Sequence, residues 1–134
     1  MLTRLLSVLI LLIILSSCDP GHVVILSNQS LKDKDIRVIV ADKRKIILLD
    51  SIAIIDSENA PKRFMIAPLK DSTTNSYFFT LHKGKCAILQ QGIGSPDLTE
   101  KIIVDHSDTI LLTNDKRIIK KKEGISTSIT VQLD

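Results

Sequence analysis

Four adjacent residues, Asp105-His106-Ser107-Asp108, collect the side-chain types of a hydrolase triad. A catalytic triad is normally assembled from distant segments, because neighbouring side chains on a turn point in different directions. The spacing therefore favours a polar hairpin turn. Of the functions considered, a hydrolytic enzyme is the weakest, and we expect a protein without enzymatic activity.

The other residues that could bind a metal or a phosphate lack the required spacing. His22, His82 and His106 are far apart, and Cys86 has no second cysteine nearby, whereas zinc sites use several such ligands in fixed geometry. The segment Gly92-Ile93-Gly94-Ser95 lacks the lysine and the long following helix of a phosphate-binding loop. We therefore expect no metal, no cofactor and only a surface loop here.

One basic cluster lies near the end of the chain and comprises Lys116, Arg117, Lys120, Lys121 and Lys122. The favoured interpretation is a solvated hairpin whose lysines keep Ile118 and Ile119 from pairing with another sheet edge. The alternative is attraction to anionic lipid headgroups. The formal net charge of +3 is too weak to indicate a nucleic-acid partner.

Short apolar, β-branched segments separated by turn residues recur along the chain, which is typical of strands. The segments are 23–26, 36–40, 46–49, 52–55, 63–66, 77–81, 86–90, 101–105, 109–113, 117–121 and 125–133. Without a long helical period, this pattern predicts an all-β fold, an antiparallel β-sandwich of seven to nine strands, immunoglobulin- or transthyretin-like.

Turn residues refine this prediction. Asp50-Ser51 indicates a bulge or a corner between sheets, and Pro68 stops pairing or confines segment 63–66 to an edge. Lys83-Gly84 predicts a tight hairpin, since glycine supplies a positive φ. Ser95-Pro96-Asp97 predicts one short helical turn. In segment 125–133 apolar and hydroxylated residues alternate, which predicts a half-buried strand.

The N-terminal residues have the three parts of an export signal. Met1–Arg4 carries one positive charge, Leu5–Leu15 is apolar apart from Ser7, and two small residues precede Cys18. As a helix the apolar run would rise roughly 16 Å, against about 30 Å for the hydrocarbon core of a membrane. The segment is therefore expected to be a cleaved signal peptide and not a membrane span.

Leu15-Ser16-Ser17-Cys18 resembles the lipobox of bacterial lipoproteins at every position. The resemblance implies cleavage before Cys18, a diacylglycerol thioether on its sulfur and usually an acylated amino terminus. Two or three acyl chains anchor a protein firmly. The alternative is an ordinary secretory signal with a chance cysteine near its cleavage site.

Removal of residues 1–17 from the 134-residue chain leaves 117, the size of one domain. We expect a lipidated tether at 18–22 and a single β-sandwich domain at 23–134. Lipidation of Cys18 would leave Cys86 without a partner in the chain. Cys86 lies in an apolar run, so a buried, inert thiol is favoured over an intermolecular disulfide.

The chain also resembles the small lipoproteins common in Bacteroidota. The resemblance is carried by residues 15–21, by a first strand that runs into Asn28 and Ser30, and by Ile36-Arg37-Val38. It covers about the first third of the chain and implies a β-sandwich tethered in the cell envelope. Asp19 is similar to an inner-membrane retention signal of enteric bacteria, yet the outer membrane is favoured here.

Such a source implies O-glycosylation at a motif of Asp, then Ser or Thr, then an aliphatic residue or Thr. Three positions match it, namely Ser51, Ser72 and Thr109. Ser72 lies in a predicted loop and is therefore expected to be the most accessible.

Two functions remain besides catalysis. The favoured one is a lipid-anchored interaction or accessory module that holds an envelope protein partner through sheet edges or loops. The alternative is an envelope binding protein for a small or glycan ligand, with Tyr77 and the loop Gln90–Glu100 as contacts. A single tyrosine and no tryptophan disfavour carbohydrate stacking.

Overall fold

The computed structural model describes residues 21–56, 62–93 and 99–134. Cys18, the proposed signal peptide and the predicted helical turn at Ser95-Pro96-Asp97 lie outside the described residues.

The described chain is all-β, with eleven strands and one short helix. The strands are β1 Gly21–Asn28, β2 Lys34–Val40, β3 Ile52–Asp56, β4 Arg63–Ile66, β5 Leu69–Asp71, β6 Ser76–Leu81, β7 Lys85–Ile93, β8 Thr99–Val104, β9 Asp108–Leu111, β10 Ile118–Glu123 and β11 Ser126–Leu133, and the helix α1 is Lys43–Leu48. The all-β prediction is confirmed. The strands outnumber the seven to nine expected, partly because the chain changes sheet at Pro68, which separates β4 from β5.

The strands form two sheets whose inner faces share one core. The six-stranded sheet has the order β10-β11-β1-β7-β3-β4, and the five-stranded sheet has the order β5-β6-β2-β8-β9. All pairs are antiparallel except β1 with β11, which run parallel from His22↔Thr127 to Asn28↔Leu133. The sandwich is thus mostly, not wholly, antiparallel.

The core consists of alternate residues from both sheets, as half-buried strands require. Its most completely buried members include Val24, Leu26, Ile36, Val38, Leu81, Ala87, Ile102, Ile110 and Val131. Tyr77 and Phe79 stack within it, with ring centroids 6.1 Å apart. In β11, Ile129, Val131 and Leu133 are buried, which confirms the predicted alternation over this part of the strand, whereas Ile125 precedes β11 and is 53% exposed.

The strand predicted at 46–49 is wrong, because these residues belong to α1 and to its C-cap. The Asp42 side chain accepts a hydrogen bond from the backbone N–H of Arg44 and caps the helix, while Ile46 is buried in the core. The helix connects β2 of the five-stranded sheet to β3 of the six-stranded sheet. The chain thus changes sheet through a helix, and not at a bulge or corner at Asp50-Ser51 between two strands as predicted.

The hairpin predicted at Lys83-Gly84 is also wrong. Gly84 does have the expected positive φ, +71°, but β6 and β7 belong to different sheets. The backbone N–H of Gly84 instead donates to the carbonyl oxygen of Asn28 at 2.8 Å. A glycine determines only the backbone conformation of the turn, whereas packing in the core determines which sheet the next strand joins.

The domain begins slightly earlier than predicted. Gly21 and His22, assigned to the tether, already belong to β1, and His22 is buried with its Nε2 atom 2.8 Å from Nε2 of Gln90. Cys86 is a buried free cysteine whose thiol donates to the Ser27 hydroxyl at 3.4 Å. Its predicted burial is confirmed.

Candidate functional site

Arg37 projects from the outer face of the five-stranded sheet. Within β2, Ile36, Val38 and Val40 are buried in the core, so the intervening Arg37 and Ile39 face outward, since successive side chains alternate. From the sequence, residues 36–40 were predicted only as a strand. A charged residue inside a run of β-branched residues was the signal that could have identified Arg37 as a candidate site residue.

An open groove of about 470 Å³ lies over this face. Its lining includes Arg37, Phe78, Leu69 and Ile103 in one row across four neighbouring strands, because Phe78 pairs with both Leu69 and Arg37, and Arg37 pairs with Ile103. Three interstrand spacings make the row about 14 Å long. Apart from Arg37, the residues of this row are therefore apolar.

Arg37 is held by a ring and a hydroxyl. Its guanidinium carbon lies 5.1 Å from the ring centroid of Phe78, within the range of a cation–π contact. Its Nε–H donates to the Ser76 hydroxyl at 3.2 Å. Within the described residues, no carboxylate forms an ion pair with Arg37.

The Ser76 hydroxyl continues into a chain of hydrogen bonds. It lies 2.7 Å from the Thr74 hydroxyl, which donates to the Asp71 carboxylate at 2.7 Å. Hydrogen bonds from Thr73 and Thr74 lower the pKa of Asp71 to about 2. Because an ionised carboxylate only accepts, the hydroxyls orient toward Asp71, which leaves the Ser76 oxygen free to accept from Arg37.

One end of the groove is polar and is lined by Asp35, Thr80 and His106, of which only His106 belongs to the segment that resembles a triad in composition. Asp35 accepts from the Thr80 hydroxyl at 3.0 Å and lies 3.9 Å from Nε2 of His106. Asp105 is paired with Lys34 at 3.0 Å, which lowers the pKa of its carboxyl group. The Ser107 hydroxyl donates to a backbone carbonyl, that of Asp105. Asp105 and His106 have φ of +48° and +66°, so the segment forms the polar turn that was predicted.

A second exposed surface is the outer face of the six-stranded sheet. Directly paired residues place one row across all six strands, and we call it the apolar band: Met65, Ala53, Ile88, Ile25, Thr130 and Ile119. These side chains lie outside the core cluster. In contrast to the groove, the band contains no charged residue.

The two edges of the six-stranded sheet differ in their protection. The edge strand β10 carries Lys120, Lys121 and Lys122, all exposed, and such lysines discourage pairing with another chain. The edge strand β4 exposes Phe64 by 53% and Met65 by 59%. The predictions that 63–66 is an edge strand, and that the lysines of the basic cluster lie on an edge, are confirmed.

Arg117 does not belong to the solvated basic cluster, which corrects that part of the prediction. Its side chain is only 20% exposed, and it pairs with Asp115 at 2.8 Å and with Asp108. These hydrogen bonds lower the pKa of Asp115 to about 2 and raise the pKa of Arg117. Asp108 belongs to β9 of the other sheet, so this ion-pair network links the two sheets.

The ligand contacts proposed from the sequence adjoin another cavity, of about 350 Å³, whose lining includes Tyr77, Gln90, Gln91 and Thr99. Tyr77 is only 2% exposed, and burial raises the pKa of its hydroxyl. Tyr77 thus serves the core and offers little surface to a ligand. The centre of the loop Gln90–Glu100, residues 94–98, lies outside the described residues.

The three proposed O-glycosylation residues differ in accessibility. Ser72 is exposed in the turn after β5, Thr109 is exposed on the edge strand β9, and Ser51 is half-buried between α1 and β3. O-glycosylation is therefore most expected at Ser72.

Within the three described segments, no group of three or more His, Cys, Asp or Glu side chains is arranged to hold a metal ion. No helix in the described part of the chain has the length and hydropathy to cross a membrane. Comparison with known proteins found no match: no family model, no curated protein and no solved structure is significantly similar to the chain.

Proposed function

We propose that the protein is a lipid-anchored module of the cell envelope that binds a partner protein and catalyses no reaction. The observation that carries this proposal is the edge strand β4, whose one charged residue is Arg63, whereas β10 carries three lysines. Phe64 and Met65 are both exposed and occupy adjacent positions, opposite Ile54 and Ala53. Because successive side chains alternate, one lies on each face of the sheet.

The partner that fits this edge is a short extended segment of another envelope protein, added as a strand beside β4. Among the described strands β4 pairs only with β3, so its outward backbone groups face no strand. The apolar band ends at Met65, which is 59% exposed and adds apolar surface beside this edge. The lysines of β10 disfavour the addition of such a strand at the opposite edge of the sheet.

The anchor rests on the lipobox resemblance of residues 15–18. Acyl chains on Cys18 would tether the domain directly before β1, which begins at Gly21. The proposed location is the envelope, with the outer membrane favoured. The proposed O-glycosylation at Ser72, Thr109 and Ser51 is compatible with that location, and intact-mass analysis of the native protein would test it.

Photo-crosslinking in cells tests the proposal. A photoreactive residue at position 64 should give a discrete adduct larger than the chain, whereas the same residue at position 121, on β10, should give none. Met65→Lys, which imitates β10, should abolish the adduct formed from position 64. Equal adducts from both edges, or none from either, would contradict a β4 docking site. An adduct with the mass of two copies of the chain would show that the partner is a second copy of this protein.

The same cells test the anchor. Cys18→Ala should abolish incorporation of labelled palmitate, leave the precursor uncleaved and remove the adduct from position 64. Palmitate entering this variant would overturn the lipid anchor.

A second function, binding of a small ligand, is favoured by one specific observation. The groove over the five-stranded sheet has the volume of small-molecule sites, roughly 300–1,000 Å³, and their combination of apolar walls with a few polar groups. Leu69, which is 77% exposed, forms one end of its apolar row.

A further inference from the structure

We propose that the groove binds a small monoanionic amphiphile, with its carboxylate on Arg37 and its apolar part along Phe78 and Leu69. This inference rests on the second proposed function and specifies the class of ligand. The groove lining includes Ile66, the last residue of β4, but neither Phe64 nor Met65.

Among the described residues, the charge of Arg37 has no carboxylate partner. Arginine in a half-buried position normally has a carboxylate or phosphate partner, because its planar fork fits such groups bidentately. Here the Nε–H is already occupied by Ser76. The N–H groups of the two terminal nitrogens can therefore donate hydrogen bonds to both oxygens of one carboxylate.

Arg37 is held in position before any ligand binds. The Phe78 ring supports its guanidinium group on one side, and the hydrogen bonds through Ser76 and Thr74 to Asp71 fix its Nε. A side chain ordered in advance loses less conformational entropy on binding, which favours affinity.

The charges around the groove restrict the charge of the ligand. Among the described residues, the ionisable ones that line the groove are Asp35, Arg37 and His106. Asp35 lies two residues from Arg37 on the same face, about 7 Å along the strand. Its negative charge disfavours a dianion such as phosphate, and only one arginine is available for an anionic group. A single carboxylate fits this balance.

The apolar residues beside Arg37 restrict the size of the ligand's apolar part. From Arg37 the row continues over Phe78 to Leu69, with Ile66 and Ala67 beside it. Two interstrand spacings give this arm a length of about 10 Å, which suits a short alkyl chain or one aromatic ring.

Photoaffinity labelling of the full-length protein in its native membrane tests the inference. The probe is octanoate that carries a diazirine on its chain, and labelled peptides are mapped by mass spectrometry. We expect label at residues 66–69 and 78–80. The apolar band serves as an internal control, because it should take up only the label expected for non-specific apolar contact.

Competition and substitution then test the role of the carboxylate. Excess octanoate should displace the probe from the groove, whereas octanamide and inorganic phosphate should not. Arg37→Gln should reduce labelling affinity at least tenfold, and Ser76→Ala should reduce it less. Lys101→Gln, which removes a cation on the same face but outside the groove lining, should leave it unchanged.

Each contrary outcome has a defined meaning. Displacement by octanamide as effective as by octanoate would overturn the carboxylate class but keep a small-ligand site in the groove. Displacement by phosphate alone would overturn the apolar part of the assignment. Equal labelling of the groove and the apolar band, unchanged in Arg37→Gln, would overturn both the inference and the small-ligand function, without bearing on β4.

Discussion

The triplet Asp-Lys-Arg occurs twice in the chain, at residues 42–44 and 115–117, and the two copies have nearly the same local geometry. In each, the arginine donates its backbone N–H, its Nε–H and a terminal N–H to the aspartate two residues earlier. The distances are 3.0, 3.3 and 3.2 Å for Arg44 and 2.9, 2.9 and 2.8 Å for Arg117.

Their surroundings differ. The Arg44 side chain is 85% exposed at the start of α1, whereas that of Arg117 is 20% exposed and also pairs with Asp108 of the other sheet. The same local interaction therefore caps a short helix in one place and links two sheets in the other. A local motif determines hydrogen bonds, but burial and a distant third partner determine how much they contribute to stability.

The largest effect is expected from Arg117→Ala. The substitution removes the link between β9 and the segment before β10 and leaves two carboxylates without their donor, so we expect a loss of about 1–3 kcal/mol in the free energy of unfolding. Urea denaturation of the variant and the parent protein measures it. Arg117→Lys, which keeps the charge but loses the planar fork, should fall between them. A parent-like midpoint for Arg117→Ala would remove the distinction between the two triplets.

A smaller effect is expected from acid. The folded-state pKa of Asp115 is lowered to about 2 by Arg117, below the unfolded value of about 3.9. The pair therefore stabilises the fold fully above about pH 4, and this contribution is lost as the pH falls toward about 2. The difference in melting temperature between the parent protein and Arg117→Ala should narrow over that range. A difference that stays constant from pH 5 to pH 2 would contradict this role of Asp115.

The smallest effect is expected from Arg44→Ala. An exposed ion pair gains little because water and salt screen it, and the cap on α1 is retained through the Asp42 side chain and the backbone N–H at position 44. The melting temperature should not change measurably in a thermal scan. Asp42→Ala is the matched control, since it removes the cap itself and should lower the melting temperature. A shift for Arg44→Ala as large as that for Arg117→Ala would show that burial does not separate the triplets.

Much of the fold was predictable, because alternation and turn residues act locally. The burial of Ile129, Val131 and Leu133, the burial of Cys86 and the edge position of 63–66 followed from such patterns. Helix α1 was missed since its apolar run also suits a strand, although Asp42 offered a capping signal. The partner of the strand after Gly84 was missed because a turn does not specify which sheet receives the next strand.

The groove was less predictable than the fold. The alternation of side chains alone places Arg37 on the outer face of β2, so this position could be predicted from the sequence. Its support by Phe78 and Ser76 depends on β6 pairing with β2, an arrangement set by the whole sandwich. Likewise nothing in residues 115–117 indicates that Asp108 approaches Arg117 from another strand.

The parallel pairing of β1 with β11 also determines how the domain responds to mechanical force. The chain enters β1 at Gly21 and leaves β11 at Leu133, and these two points lie at opposite ends of the ladder. Tension applied between them pulls the two strands past each other along their length. The evenly spaced hydrogen bonds of a parallel ladder are then loaded together in shear, whereas an antiparallel pair pulled from one end would unzip bond by bond. The ladder closest to the proposed anchor is therefore oriented to resist stretching between the ends of the domain.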